Sequence, residues 1–217
     1  MKPAFALVFF DVDSTLVTFE GVDWLADGNP EVRALTESAM NGRIPVEEVY
    51  GRRLDLIRPS RSRIEELAAE YQRRLLSDAE VVVAQLREAG VDVHLITGGI
   101  EQAVAPLAAK LGLAPRSLHA VRLQFDDAGE YVDFDRRSFL AKSGGKEIVL
   151  RDVRAQSHGR AAFVGDGMTD AEARNAVDLF IGFGGVTIRE RVREVAEFYI
   201  TEPRLSPILP LILKGDQ

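Results

Sequence analysis

Residues 4–15 read AFALVFFDVDST. The first part, Ala4–Phe10, is an unbroken apolar run of strand length with aromatic and β-branched members, which predicts a strand buried on both faces of a parallel sheet. Similar runs recur at Val91–Ile96, Ala161–Val164 and Asp178–Ile181. Between them lie helical patterns at Ala79–Ala89, stopped by Gly90, and at Ile100–Leu111, stopped by Gly112; others follow at Lys146–Val153, Thr169–Ala176 and Ile188–Val195. Strand and helix alternate, so the expected class is α/β, a Rossmann-like core on a parallel sheet.

Residues 18–76 break that rhythm, with helical patterns and no convincing strand. Ser62 and Glu65 have the spacing of a capping box, and Ile64, Leu67, Tyr71 and Leu75 follow at helical intervals. Pro30, Pro45 and Pro59 punctuate two further short helices upstream. The expected organisation is a core of residues 1–17 and 77–217 interrupted after its first strand by a small all-helical module, 18–76. Val121–Phe125 and Glu130–Phe134 flank Asp126-Asp127-Ala128-Gly129, the pattern of a hairpin with a glycine turn.

Composition narrows the function classes. Apolar residues make up 46% of the 217 and charged residues 28%, which fits a chain with a real core and excludes disordered, collagenous and disulfide-scaffold classes. Lysine and arginine total 27 against 34 acids, a net charge of −7 that argues against nucleic acid or an anionic membrane as partner. There is no cysteine, hence no thiolate metal site or cysteine nucleophile. The apolar run at 4–10 follows a single lysine and is cut by Asp11, unlike a signal peptide, and Ile208–Leu213 is too short to span a bilayer and contains Pro210. A soluble, cytoplasmic protein is the expectation.

In open α/β sheets ligands sit beyond the carboxyl ends of the strands. The first strand runs straight into Asp11-Val12-Asp13-Ser14-Thr15, and in extended chain that spacing points both carboxylates the same way. Two like charges at a dry strand end are costly unless a cation or a shared proton offsets them; a turn or helix cap is the structural alternative for the same residues. The second strand ends in Thr97-Gly98-Gly99, a hydroxyl and glycine amides before a helix, which suits an anion but is also ordinary loop chemistry. The strand at 161–164 ends in Gly165-Asp166-Gly167-Met168-Thr169-Asp170, which misses the dinucleotide fingerprint because Asp170 stands in its last position. Four carboxylates at one sheet edge, with oxygen donors only, call for a hard cation, and magnesium is the natural choice. His94, His119 and His158 are scattered and read as structural or surface residues. Lys146 follows the glycine pair in Ser143-Gly144-Gly145-Lys146. Alone it reads as a solvated lysine; beside a phosphate and carboxylates it supplies the missing charge.

Taken in order, Asp-x-Asp-Ser-Thr, Thr-Gly-Gly, the lysine after Gly-Gly and Gly-Asp-Gly-x-Thr-Asp resemble the haloacid dehalogenase (HAD) superfamily and, within it, the phosphoserine phosphatase family. Glu20-Gly21-Val22-Asp23, Ala39-Met40, Arg53 through Ser60, Lys142-Ser143-Gly144-Gly145-Lys146 and Phe180 through Gly185 extend the likeness over nearly the whole chain. The resemblance implies a Mg²⁺-dependent phosphomonoesterase that hydrolyses L-phosphoserine to L-serine and phosphate through an aspartyl-phosphate, the last step of serine biosynthesis. It assigns Asp11 as nucleophile and Asp13 as general acid and base. Asp11, the backbone carbonyl of Asp13, and Asp166 become metal ligands. Thr97, Gly98 and Lys146 become phosphate-binding groups, with Thr169 and Asp170 in support, the latter orienting Lys146 or a metal-bound water. The helical module becomes a cap over the site. Glu20 would take the substrate ammonium and Arg53 its carboxylate, with Met40 and Asn41 lining the wall; without the resemblance these read as a helix-start acid, a surface charge and cap core.

Three positions depart from the family pattern: Thr97 replaces a more usual serine, Phe19 stands where an acid often precedes the glutamate, and Met168 replaces a small residue. Within the enzyme class the runner-up is phosphoryl transfer to an alcohol such as homoserine, or another small phosphomonoester. A receiver-type phospho-acceptor module gathers similar residues around Mg²⁺, but it runs to one ordinary domain length and carries no helical insertion.

Overall fold

A computed structural model describes residues 3–41 and 43–214, the side chain of Met40 excepted. The central strand β1 (Leu7–Phe10) is buried at all four positions. It pairs in parallel with β2 (Asp92–Ile100) on one side and β6 (Ala161–Gly165) on the other. β3 (Leu118–Val121) extends the sheet beyond β2, and β7 (Leu179–Phe183) and β8 (Phe198–Ile200) extend it beyond β6, giving the order β3-β2-β1-β6-β7-β8 with every pairing parallel. The chain builds outward to one side of β1 and then returns to build outward on the other, so the crevice where strand order reverses lies at the carboxyl end of β1.

Register explains what meets there. Phe10 is level with Leu95 and with Val164, so one step further on Asp11 stands beside Ile96 and Gly165, and Thr97 and Asp166 follow at the same rim. Along β2 the ladder advances from Ile96 to Ile100 while β3 advances only from His119 to Val121. The strand therefore continues through Thr97-Gly98-Gly99 as a bulge, where the sequence suggests a turn; such irregularities commonly re-aim side chains next to active sites.

Between β1 and β2 lie α1 (Gly21–Leu25), α2 (Pro30–Met40), α3 (Val46–Ile57), α4 (Arg61–Arg73) and α5 (Ala79–Glu88). The first four form the insertion, one helix more upstream of α4 than the proline spacing suggested. Its two ends are tied by a bridge between Val17 and Leu75 and by main-chain bonds from Thr18 to Arg74 and from Leu76 to Leu16. The cap of α4 is Ser60, which accepts from the Arg63 N–H, so the helix starts two residues before the Ser62 signature. α4 buries Ile64, Leu67, Ala68 and Tyr71 and packs against α6 (Glu101–Lys110). The hairpin is β4 (Leu123–Phe125) with β5 (Tyr131–Phe134), and it touches the insertion: Arg61 N–H donates to the Gly129 carbonyl at 2.8 Å, and Arg58 donates to the Tyr131 carbonyl at 3.0 Å. α7 (Gly145–Ala155) precedes β6, α8 (Met168–Glu172) precedes β7, α9 (Glu190–Arg193) precedes β8, and α10 (Ile208–Lys214) closes the described chain. Among the described residues no helix is long and apolar enough to cross a membrane.

Candidate active site

The rim of β1 is built by tight local turns. Asp11 is still held by the ladder, its N–H donating to the Val164 carbonyl at 2.9 Å. Ser14 then adopts φ 53°, in the left-handed region, a cost that side-chain bonding offsets: its hydroxyl donates to Glu20 Oε1 at 2.6 Å. Asp13 is gripped at both oxygens by the insertion, Oδ1 accepting from the Tyr71 hydroxyl at 2.7 Å and Oδ2 from the Gly21 N–H at 3.1 Å.

Lys146 enters from the start of α7, where Gly144 takes φ 69° and Gly145 packs so closely that a Cβ there would meet the Phe139 carbonyl oxygen at 1.7 Å. Its ammonium lies 2.7 Å from Asp11 Oδ1 and 2.6 Å from Asp170 Oδ1. Burial opposes that charge, but the two carboxylates outweigh it and hold the Lys146 pKa above its ordinary value. The second oxygen of Asp170 accepts from the Gly167 N–H at 2.9 Å, which fixes the turn into α8. Thr97 Oγ1 accepts from the Gly99 N–H at 2.9 Å, and the Gly98 carbonyl accepts from the Tyr50 hydroxyl at 2.8 Å.

A single cavity is lined by Asp11, Asp13, Glu20, Arg53, Thr97, Gly98, Lys146 and Thr169, among others. Of the other expected residues, Asp166 and Asp170 are wholly buried just beneath it. Asn41 turns away: it lines a neighbouring cavity, and its side-chain amide donates to the Glu37 carbonyl at 2.9 Å. Met40 closes α2, and its side chain lies outside the described residues. Tyr50, Tyr71 and Arg189 are contributors outside the motifs, and Ser14, a member of the first motif given no role there, holds Glu20. Tyr71 reads as core from its helical spacing, and nothing in their local patterns marks Tyr50 or Arg189.

The electrostatics are those of excess buried negative charge. Burial, then Asp170, pushes Asp11 up to about 7 against the pull of Lys146. Burial and the neighbouring Glu20 push Asp13 well above the carboxylate range, with Tyr71 and Gly21 pulling back. Burial and the charges of Glu20, Asp11 and Asp170 raise Asp166, and burial raises Glu20. Oxygens of Asp11, Asp166 and Asp170 lie within 4.8 Å of one another. A crowded, oxygen-only set of buried acids fits a hard divalent cation, whose charge offsets the cost of their burial and mutual repulsion. Across the cavity Arg53 is buried, its Nη1 donating to Thr36 Oγ1 at 3.2 Å while its Nε has no partner among the described residues. A buried guanidinium edge without an acceptor fits an anionic group of a ligand.

A parallel sheet with this acid rim and a helical insertion after its first strand defines a class of hydrolase: residues 5–178 match the family model described as haloacid dehalogenase-like hydrolase. Over 199 residues the chain is 41% identical to the phosphoserine phosphatase of Mus musculus, covering 90% of this chain and 88% of that protein. A substrate-bound phosphoserine phosphatase complex superposes with a TM-score of 0.84 at 27% identity, covering 96% of this chain and 98% of the other. A phospho-aspartyl intermediate analogue of phosphoserine phosphatase superposes with a TM-score of 0.82 at 28% identity, covering 96% and 99%. The chain belongs to the haloacid dehalogenase-like hydrolases and, within them, to the phosphoserine phosphatase family.

Proposed function

We propose that this chain is a metal-dependent phosphomonoesterase that hydrolyses L-phosphoserine to L-serine and phosphate, the last step of serine biosynthesis. The observation that carries the reading is one cavity in which Asp11 and Lys146, backed by buried Asp170, share the wall with Glu20 and buried Arg53, whose Nε has no partner among the described residues.

Asp11 is the nucleophile: its carboxylate attacks phosphorus, the bond to the serine oxygen breaks, and Asp13 delivers a proton to the departing alkoxide. Asp13, now ionised, takes a proton from the water that attacks the aspartyl-phosphate, which returns Asp11 and releases phosphate. Lys146, Thr97 and the Gly98 amide hold phosphoryl oxygens. Asp170 keeps Lys146 in place, and Thr169 adds a hydroxyl at the cavity wall. Asp11, the main-chain carbonyl of Asp13, and Asp166 would hold Mg²⁺, which would supply positive charge to draw the phosphate in and offset the negative charge that builds on it. Residues 18–76 act as a cap over the core formed by 1–17 and 77–217. Glu20 takes the substrate ammonium and Arg53 its carboxylate, contacts that discriminate against esters lacking either group.

The test is phosphate release from a panel of small phosphomonoesters with Mg²⁺, with and without homoserine. L-Phosphoserine is expected to lead the panel, and Asp11→Asn to abolish turnover. Parity with generic esters removes the substrate assignment, phosphohomoserine formation removes the assignment of water as acceptor, and an active Asp11→Asn protein removes the mechanism.

A further inference from the structure

The helical insertion supplies both hydrogen-bond donors that hold Asp13. Tyr71, fully buried on α4, donates to Oδ1, and the Gly21 N–H at the start of α1 donates to Oδ2. The tyrosine reaches that far because glycines make room. A Cβ on Gly21 would lie 2.1 Å from the Tyr71 hydroxyl oxygen, and one on Gly99 would lie 3.3 Å from it. The ring is braced by Phe19, with centroids 5.1 Å apart. A buried phenol needs a partner, and Asp13 is the one this packing provides. A phenol keeps its proton at neutral pH, so Tyr71 is a donor to that carboxyl.

We infer that Tyr71 is a positioning residue: with the Gly21 amide it fixes the plane of the Asp13 carboxyl, so that its proton is aimed at the leaving oxygen. The inference rests on the reading of Asp13 as the general acid. Two donors on two oxygens define an orientation that either alone leaves free to rotate, and a misplaced acid loses rate without losing substrate affinity.

Leaving-group chemistry separates this role from a structural one. A serine alkoxide departs only with a proton, whereas p-nitrophenolate departs readily without one. For Tyr71→Phe with Mg²⁺, kcat/KM for L-phosphoserine should fall by about tenfold or more, part of the roughly 10²–10⁴ that general acid–base catalysis contributes, while p-nitrophenyl phosphate loses less than about threefold. Equal losses on both esters, or no loss on phosphoserine, overturn the inference. Asp13→Asn is measured on the same pair. If it shows the selective loss and Tyr71→Phe does not, only the role of Tyr71 fails; if it loses equally on both esters, the reading of Asp13 fails. Should Tyr71→Phe prove unfolded by circular dichroism, Gly21→Ala displaces the hydroxyl by steric contact and must give the same selectivity, and its absence there also overturns the inference.

Discussion

Arg189 sets its Nε 3.2 Å from Oδ2 of Asp166, a carboxylate with no solvent exposure. The other side-chain contact of Asp166 is a long one, 3.4 Å from the Thr15 hydroxyl, so the guanidinium is its main charge partner among the described residues. A divalent cation held by Asp11 and Asp166, as proposed, would meet that positive group on the same carboxylate.

Removing the arginine charge should therefore favour the metal. Arg189→Gln is expected to bind Mg²⁺ up to about tenfold more tightly, equivalent to roughly 1.4 kcal/mol, and to melt at lower temperature without metal because Asp166 is left unpaired. Isothermal titration and thermal melts with and without Mg²⁺ read both effects. Unchanged or weaker metal binding shows that Arg189 orders Asp166 for the cation and does not compete with it.

On the proposed reading, a substitution at Arg53 separates recognition of the serine moiety from chemistry at phosphorus. Its Nη1 is committed to Thr36 and its guanidinium lies 5.5 Å from the Tyr50 ring centroid, so the free Nε is the edge left for a carboxylate. Arg53→Ala should cost kcat/KM for L-phosphoserine about 10- to 100-fold, the range for losing a charge-assisted contact, and cost phosphoethanolamine much less. Equal losses exclude a carboxylate contact at this residue.

His119 gives the fold a pH-dependent element away from the site. Its ring stacks on that of His94, centroids 5.4 Å apart, with Nε2 3.2 Å from His94 Nδ1; His94 in turn lies 3.3 Å from Asp92. Burial, then the neighbouring His94, lowers the His119 pKa from 6.5 to about 4. Between those values the unfolded chain binds a proton that the folded chain refuses, so this residue's contribution is complete above pH 6.5 and is lost as the pH falls toward 4. The raised carboxylates of the site act in the opposite direction, so the measurement is a difference. Urea unfolding between about pH 7 and pH 5 should show wild type losing more stability than His119→Gln. Parallel profiles mean His119 does not carry this linkage.

What could be read from sequence followed from burial and position. β1 was legible because every one of its side chains is buried, so the run is apolar without interruption. β3 and β8 were not, being only four and three residues long and mostly half-buried. Asp11, Thr97 and Asp166 were legible because strand ends in a parallel sheet converge whatever the details of the helices. Tyr71 was visible only as a core residue, since the face that packs α4 onto the core is the face that carries the hydroxyl to Asp13. Arg189 follows β7 in a loop, and neither spacing nor periodicity connects it to Asp166.

The approach of α7 makes the last prediction steric. Gly145 is its first residue, and a side chain there would place Cβ 1.7 Å from the Phe139 carbonyl oxygen, a contact that backbone cannot absorb by rotamer change. Gly145→Ala must push the start of α7 away from the segment holding Phe139 and Leu140, and Lys146, the next residue, moves with it. Its ammonium sits within 2.7 Å of two carboxylates, and displacement by about 1 Å at such a site costs on the order of 10²-fold in rate. Gly145→Ala is therefore expected to lose turnover by that order while remaining folded by circular dichroism, with a lower melting temperature. Gly144→Ala serves as the comparison: nothing lies within 4 Å of its would-be Cβ, and only the cost of φ 69° applies. It should cost about 1 kcal/mol of stability and little activity. Near-normal turnover in Gly145→Ala shows that the helix can retreat without carrying Lys146 out of reach of Asp11.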